Sequence, residues 1–242
     1  NGTIVSSPAG SNIPAMGIDS LVSAPFTPSV NGSYTFTWGI ESDSIDDTPA
    51  DNFLSGETFE VTDYIYARDE NGTPGTGGGE DNRSPGSFAF EAGNYFDCFA
   101  DQTVHNIDVV IGSGTPDNTA IYGIIYVYDA GIGDFVYVES TDEYNVTSSN
   151  AANNSTITLP LFTPTQLISD QTYSVMVGCF TEFYYGTSGS SDAQTSFILY
   201  GGLNGAGSQY YTTGTPMVRL NFQDFTGINE LNSNINLDQN VP

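Results

Sequence analysis

The side chains able to do chemistry are few in this sequence and widely spread. His105 is the single histidine, set in QTVHNIDVV. As a general base it would need a nucleophile on one side and an orienting carboxylate on the other. Asp101 and Asp108 lie near it in sequence, but the chain has no Gly-x-Ser-x-Gly, no His-Glu-x-x-His and no phosphate-cradling loop. His105 therefore reads as a strand residue on a polar face. Paired carboxylates could hydrolyse a glycosidic bond, but with 29 Asp and Glu in the chain no pair stands out by spacing. No catalytic residue is predicted.

Binding chemistry is better represented. Hard cations take six to eight oxygen ligands, and the run ESDSIDDTPADN supplies Glu41, Asp43, Asp46, Asp47 and Asp51 in one stretch. Calcium is the cofactor such a loop could hold, although it lacks the spacing and the glycine of an EF-hand. The plain alternative is an exposed acidic turn between strands. A second group, Asp69, Glu70, Glu80 and Asp81, lies in a Gly-rich stretch whose ordering would cost entropy. The paired tyrosines Tyr184–Tyr185 and Tyr210–Tyr211 sit in Gly- and Ser-rich connections, EFYYGTSGSS and GAGSQYYTTG. Exposed tyrosine rings stack on sugars or pack into protein interfaces; packing of at least one ring of each pair at a core edge is the competing expectation. Cys98 and Cys179 both fall in strand-like runs. They could form a disulfide if their strands are neighbours, and otherwise act as small buried apolar groups.

The elements that must position these groups are strands. Helical signals are almost absent, and short alternating runs are separated by Gly, Thr, Ser and Asn. Residues 1–32 are punctuated by Pro8, Pro14, Pro25 and Pro28. In Ser33 to Ile40, Tyr34, Phe36, Trp38 and Ile40 alternate with small polar residues, which predicts one buried face with Trp38 in it. A second strand is predicted over Thr58 to Ala67. Residues 69–87, DENGTPGTGGGEDNRSPGS, read as a flexible linker with Gly75 to Gly79 as a spacer. Nine strands then follow between Phe88 and Phe222. Ala120 to Tyr128 is apolar on both alternating sets and belongs inside a sheet covered on both faces. Thr172 to Phe180 points Tyr173, Val175, Val177 and Cys179 inward. The fold class is all-β, an antiparallel jelly-roll-like sandwich over 88–226, preceded by a small Ig-like segment over 1–68 and followed by a linker over 227–242.

Charge sets limits on partners. Three arginines, no lysine and 29 acidic residues give a net charge of −26, which repels phosphate backbones and anionic membrane surfaces. Cations, neutral glycans, other surface proteins or further copies of the chain remain as partners. High acidity suits a saline medium or serves solubility alone. No apolar run approaches the ~18 residues that a membrane helix needs, so no membrane insertion is predicted. Without lysine, Lys–Asn isopeptide crosslinks cannot form.

Two stretches carry resemblances. The tail GINELNSNINLDQNVP is polar and Asn-rich, a linker by composition. Its Leu237, Asp238, Gln239, Asn240, Val241 and Pro242 resemble the junction before the C-terminal sorting domain of cargo exported by the Bacteroidota type IX secretion system. The resemblance implies an extracellular or cell-surface protein cut or linked at that point. The series APFTPSVNGSYTFTWGIESDSIDDTPADN resembles the closing strands of CARDB-like, immunoglobulin-type adhesion modules, which implies an Ig-like segment too short to close by itself. Asp19-Ser20-Leu21 and Asp43-Ser44-Ile45 resemble the acceptor of Bacteroidota O-glycosylation, with Ser20 and Ser44 as attachment sites. Together these readings predict a non-enzymatic structural or adhesive protein, a subunit of an extracellular assembly or filament. A carbohydrate-binding module and an accessory region of a secreted hydrolase are the alternatives.

Overall fold

Strands account for most of the backbone, as period-two alternation broken by Gly, Asn and Pro requires. The computed structural model describes residues 17–18, 20, 22, 24–41, 45, 47–79, 90–200 and 209–224. The tail over 227–242, with its sorting-junction resemblance, lies outside the described residues, as do Asp43, Ser44, Asp46, Glu80 and Asp81. The chain forms two units, Asn1–Asp63 and Tyr64–Pro242.

The first unit is a hairpin of β1 (Gly32–Gly39) and β2 (Phe53–Val61), joined through a 3-10 turn at Pro49–Asp51. Thr35 faces Thr58 and Thr37 faces Ser55, so β2 bulges by one residue opposite Phe36. The bulge restores parity: Leu54 and Phe59, an odd number of residues apart, both join Tyr34, Phe36 and Trp38 on one face. The other face carries Ser33, Thr35, Thr37, Ser55 and Thr58, with the Thr35 and Thr58 hydroxyls 2.6 Å apart.

The second unit begins with β3 (Ile65–Tyr66), β4 (Gly75–Gly79), β5 (Phe90–Cys98), β6 (Gln102–Val110), β7 (Thr119–Asp129), β8 (Asp134–Ser140) and β9 (Tyr144–Val146). A five-residue helix α1 (Ser148–Ala152) follows, closed by a capping box between Thr147 and Asn150. The rest are β10 (Thr156–Leu167), β11 (Gln171–Cys179), β12 (Phe183–Ser190), β13 (Ser196–Tyr200), β14 (Gln209–Tyr211), β15 (Gly214–Pro216) and β16 (Val218–Asn221). Every pairing among these strands is antiparallel. A seven-stranded sheet runs β14-β13-β5-β11-β7-β8 with β9 also on β7, a four-stranded sheet runs β10-β6-β16-β3, and a three-stranded sheet runs β15-β12-β4.

The all-β antiparallel sandwich expected from alternation is what forms. Its main core joins Ala92, Phe96, Ile121, Ile125, Val175 and Val177 of the large sheet to Val104, Ile107, Val109, Leu159, Val218 and Leu220 of the four-stranded one. Buried Asn94 ties the layers together: its Nδ2 donates to the carbonyls of Pro216 and Val218, and its Oδ1 accepts from Ser196 Oγ. β7 is covered on both faces and β11 turns Tyr173, Val175, Val177 and Cys179 inward, as their patterns require.

Several boundaries differ from the sequence reading. The Gly-rich spacer is a strand: β4 pairs with β12 over Phe183–Thr187. Its glycines are needed for close approach, since a Cβ on Gly77 would sit 2.7 Å from the Tyr185 ring. β5 runs unbroken through Gly93 and Asn94, because Gly93 passes tight against the Val175 backbone and Asn94 finds its partners inside. The expected burial of the Tyr34–Trp38 face fails: Phe36 is 38%, Trp38 49% and Ile40 63% exposed. Two strands alone offer no opposing layer.

Candidate functional site

Among the described residues two surfaces gather unusual chemistry, one in each unit. On the hairpin, Tyr34 and Phe36 stack on Phe59 at 5.6 and 5.5 Å between ring centroids. Phe26, from the segment before β1, covers that end at 6.0 Å from Tyr34 and 6.2 Å from Phe36. The other end of the face is open, with Leu54 68% exposed beside Trp38. A two-stranded hairpin is at best marginally stable in water without a further strand or a covering layer. Large apolar residues left in this state mark contact surfaces.

In the second unit the outer face of the seven-stranded sheet carries a smaller core of its own. Ile124, Tyr126, Met176, Phe197 and Leu199 are buried there under the partly buried rings of Tyr95, Tyr122 and Phe135. Tyr95 stacks on Phe135 at 4.9 Å and meets Phe197 at 4.4 Å. Glu91 lies within this layer at 3% exposure. Tyr126 Oη donates to its two carboxylate oxygens at 3.0 and 3.2 Å, and Tyr122 Oη donates to Oε1 at 3.2 Å. Register explains the reach of Tyr122: across the sheet the row runs Leu199, Glu91, Gly178, Tyr122. The Tyr122 ring lies over Gly178, where a Cβ would come within 2.3 Å of Cζ. Among the described residues no cation pairs with the carboxylate. Burial pushes the Glu91 pKa up, against smaller lowering contributions from the Tyr126 and Tyr122 hydrogen bonds. Burial and then the Glu91 charge push both phenols up as well. Ser174, four residues before Gly178 on β11 and in the row of Tyr95 and Tyr126, is buried with no hydrogen-bond partner for its hydroxyl among the described residues. At the margins of this face Tyr128, Tyr137, Phe180 and Tyr211 are 43–52% exposed.

The sequence-predicted residues distribute unevenly over these surfaces. Tyr184 and Tyr185 lie on β12 rather than in a connection, and Tyr185 is buried against Phe90 and Phe183. Tyr210 and Tyr211 lie on the edge strand β14, both about half exposed, opposite Ile198 and Phe197. Glu41, Asp47 and Asp51 are exposed, and no group of three or more His, Cys, Asp or Glu that could hold a metal ion occurs among the described residues. Asp69, grouped by sequence with a weaker cation cluster, has its carboxylate fully buried and taken by Arg219: Nε and Nη2 bond its two oxygens, and Nη2 reaches Asn71 at 3.1 Å. His105 stands on β6 with Nδ1 3.9 Å from Asp224 Oδ1. Ser20 is exposed.

The cysteines are on neighbouring strands, β5 and β11, but at opposite ends. Cys98 faces Gln171 and Cys179 faces Phe90. The stretch of β11 from Gln171 to Cys179 spans ~27 Å, far beyond the ~7 Å limit between Cα atoms for a disulfide. Both are buried free thiols, Cys98 donating to the Ala100 carbonyl and Cys179 to that of Thr181. Burial raises the Cys179 pKa to about 11.

Sequence reasoning missed Glu91. The signal available was the Phe-Glu-Ala run that opens β5, where a carboxylate interrupts a stretch, Phe90 to Asn94, that is buried on both faces. No protein-family model and no curated protein matches this sequence.

Proposed function

We propose that the chain is a non-enzymatic structural or adhesive protein of the cell exterior that works by associating through its hairpin unit. The observation that carries this reading is the aromatic face of β1 and β2, kept continuous by a bulge and left open at Trp38 and Leu54. A chain with net charge −26 has no need of such a face for its own sake, whereas a contact surface does. The resemblance of Leu237 to Pro242 to a type IX sorting junction, and of Ser44 to an O-glycan acceptor, supports surface export in the same reading. Calcium bound by Glu41, Asp43, Asp46, Asp47 and Asp51 would belong to it as a device ordering the loop between the two strands.

Size-exclusion chromatography with light scattering on the full chain tests it. Mass should rise with concentration, and rise further on going from about 0.15 M to about 1 M salt, because screening relieves repulsion between acidic copies while leaving apolar contact intact. A chain that stays monomeric across concentration and salt would overturn the reading.

A second reading, binding of neutral carbohydrate, is favoured by the exposed rings of Tyr128, Tyr137 and Tyr211 on one sheet face. Tyr185 cannot contribute, being buried. Retention on neutral polysaccharide that is lost in Tyr137→Ala and Tyr211→Ala would support it; equal retention of the variants would remove it.

A further inference from the structure

We propose that the segment bearing Ile18 and Val22 docks on the Trp38–Leu54 end of the hairpin face of a second copy of this chain. The proposal rests on the self-association reading above and names the contact. The chain already uses one such segment on this face: Phe26 of the same copy seals the Tyr34–Phe36–Phe59 end. Ahead of Phe26 the described residues Ile18 and Val22 are 97% and 85% exposed. Four residues apart, they fall on the same side of a docked, extended chain, about 13 Å from each other. That reach suits the open end of the face, where Trp38, Leu54 and Ile40 are 49%, 68% and 63% exposed.

Charge favours the same occupant. Asp19 is the single acidic residue in positions 1–40, so every other one of the 29 lies in 41–242. For a chain that repels its own copies, the near-neutral leading segment is the part that can approach another copy at least cost. The apolar residues it would meet, Trp38, Ile40 and Leu54, carry no charge. One copy donates the segment and the next supplies the face, so the contact is head-to-tail and propagates into a row or closes into a ring.

Two full-length variants test this by complementation. Ile18→Ser/Val22→Ser removes the apolar side chains of the segment, and Trp38→Ser/Leu54→Ser removes those of the face, neither adding charge. Each alone should weaken association on the order of 100-fold and sediment as a monomer where the wild type does not. Mixed in equal amounts they should form a dimer and nothing larger, since the intact segment of the face variant can seat on the intact face of the segment variant. Unchanged near-UV circular dichroism keeps misfolding out of the result, and Leu54→Ser alone provides a milder face variant with the same readout. If the wild type associates but the mixture stays monomeric, or if the segment variant associates as the wild type does, this contact is wrong while the function proposed above stands. If the wild type is monomeric throughout, both fall.

Discussion

Replacing Glu91 by Gln should make the second unit more stable at neutral pH, and the size of the gain should depend on pH in a defined direction. The Glu91 carboxyl is 3% exposed and has two phenols, but no cation among the described residues, beside it. Desolvating a carboxylate costs several kcal/mol even after relaxation. Hydrogen bonds to a charged group return about 1.5–3 kcal/mol each, and those here, at 3.0–3.2 Å, are longer than the ~2.5–2.7 Å of strong phenol–carboxylate bonds. The balance leaves the charged form unfavourable by about 1–2 kcal/mol, in the direction that raises the folded-state pKa. A group raised in this way contributes its full stability below the unfolded value of about 4.3 and loses it as pH rises through the folded value. The amide of the Glu91→Gln variant does not titrate and suffers no such loss. Urea unfolding of both proteins from pH 4 to pH 8 should therefore show the variant gaining on the wild type by about 1–2 kcal/mol, or roughly 2–8 °C in Tm at about 2–4 °C per kcal/mol for a unit of this size. A difference that stays flat with pH, or that turns against the variant as pH rises, would mean that the tyrosines outweigh burial and would refute the reasoning.

Other perturbations follow from the same geometry. Gly178→Ala should push the Tyr122 ring off Glu91, because the new methyl would lie 2.3 Å from Cζ; a loss of about 1–3 kcal/mol should appear in the urea midpoint, with little change in a Tyr122→Ala background. Asp69→Ala should cost about 3–5 kcal/mol by leaving Arg219 buried and unpaired, whereas the double variant Asp69→Ala/Arg219→Met should recover much of that loss in thermal unfolding. Ellman titration should find no rapidly reacting thiol in the native chain and two after unfolding, with no mass change on reduction; a native disulfide within one chain would contradict the β5–β11 register.

Much of the sandwich was legible in its sequence because one physical signal, period two, carries both strand identity and burial. Ala120 to Tyr128 and Thr172 to Phe180 show it: their alternation gave the faces that β7 and β11 present. Where the signal is absent the reading failed. Gly75 to Gly79 has a single side chain, that of Thr76, and so nothing to alternate, and what makes it a strand is the close approach to β12, with the Tyr185 ring lying where a Cβ of Gly77 would be, a contact between residues more than a hundred positions apart. Tyr184 and Tyr185 were placed in a connection because Gly and Ser follow them, yet β12 continues to Ser190. Trp38 shows the converse. Its alternation correctly indicated an apolar face, but alternation cannot say whether that face is covered within the chain. Glu91 escaped notice for a related reason, since its significance depends on Tyr122 reaching across Gly178 from a strand that sequence order alone does not place beside it.

The central claim is that the face of β1 and β2 is a contact surface, and amide hydrogen exchange of the full chain at low and high protein concentration tests it most directly. The account predicts that amides of Gly32–Gly39 and Phe53–Val61 gain protection as concentration rises, while those of β5, β7 and β11 keep the same protection throughout. Protection of the hairpin that does not change with concentration would contradict it.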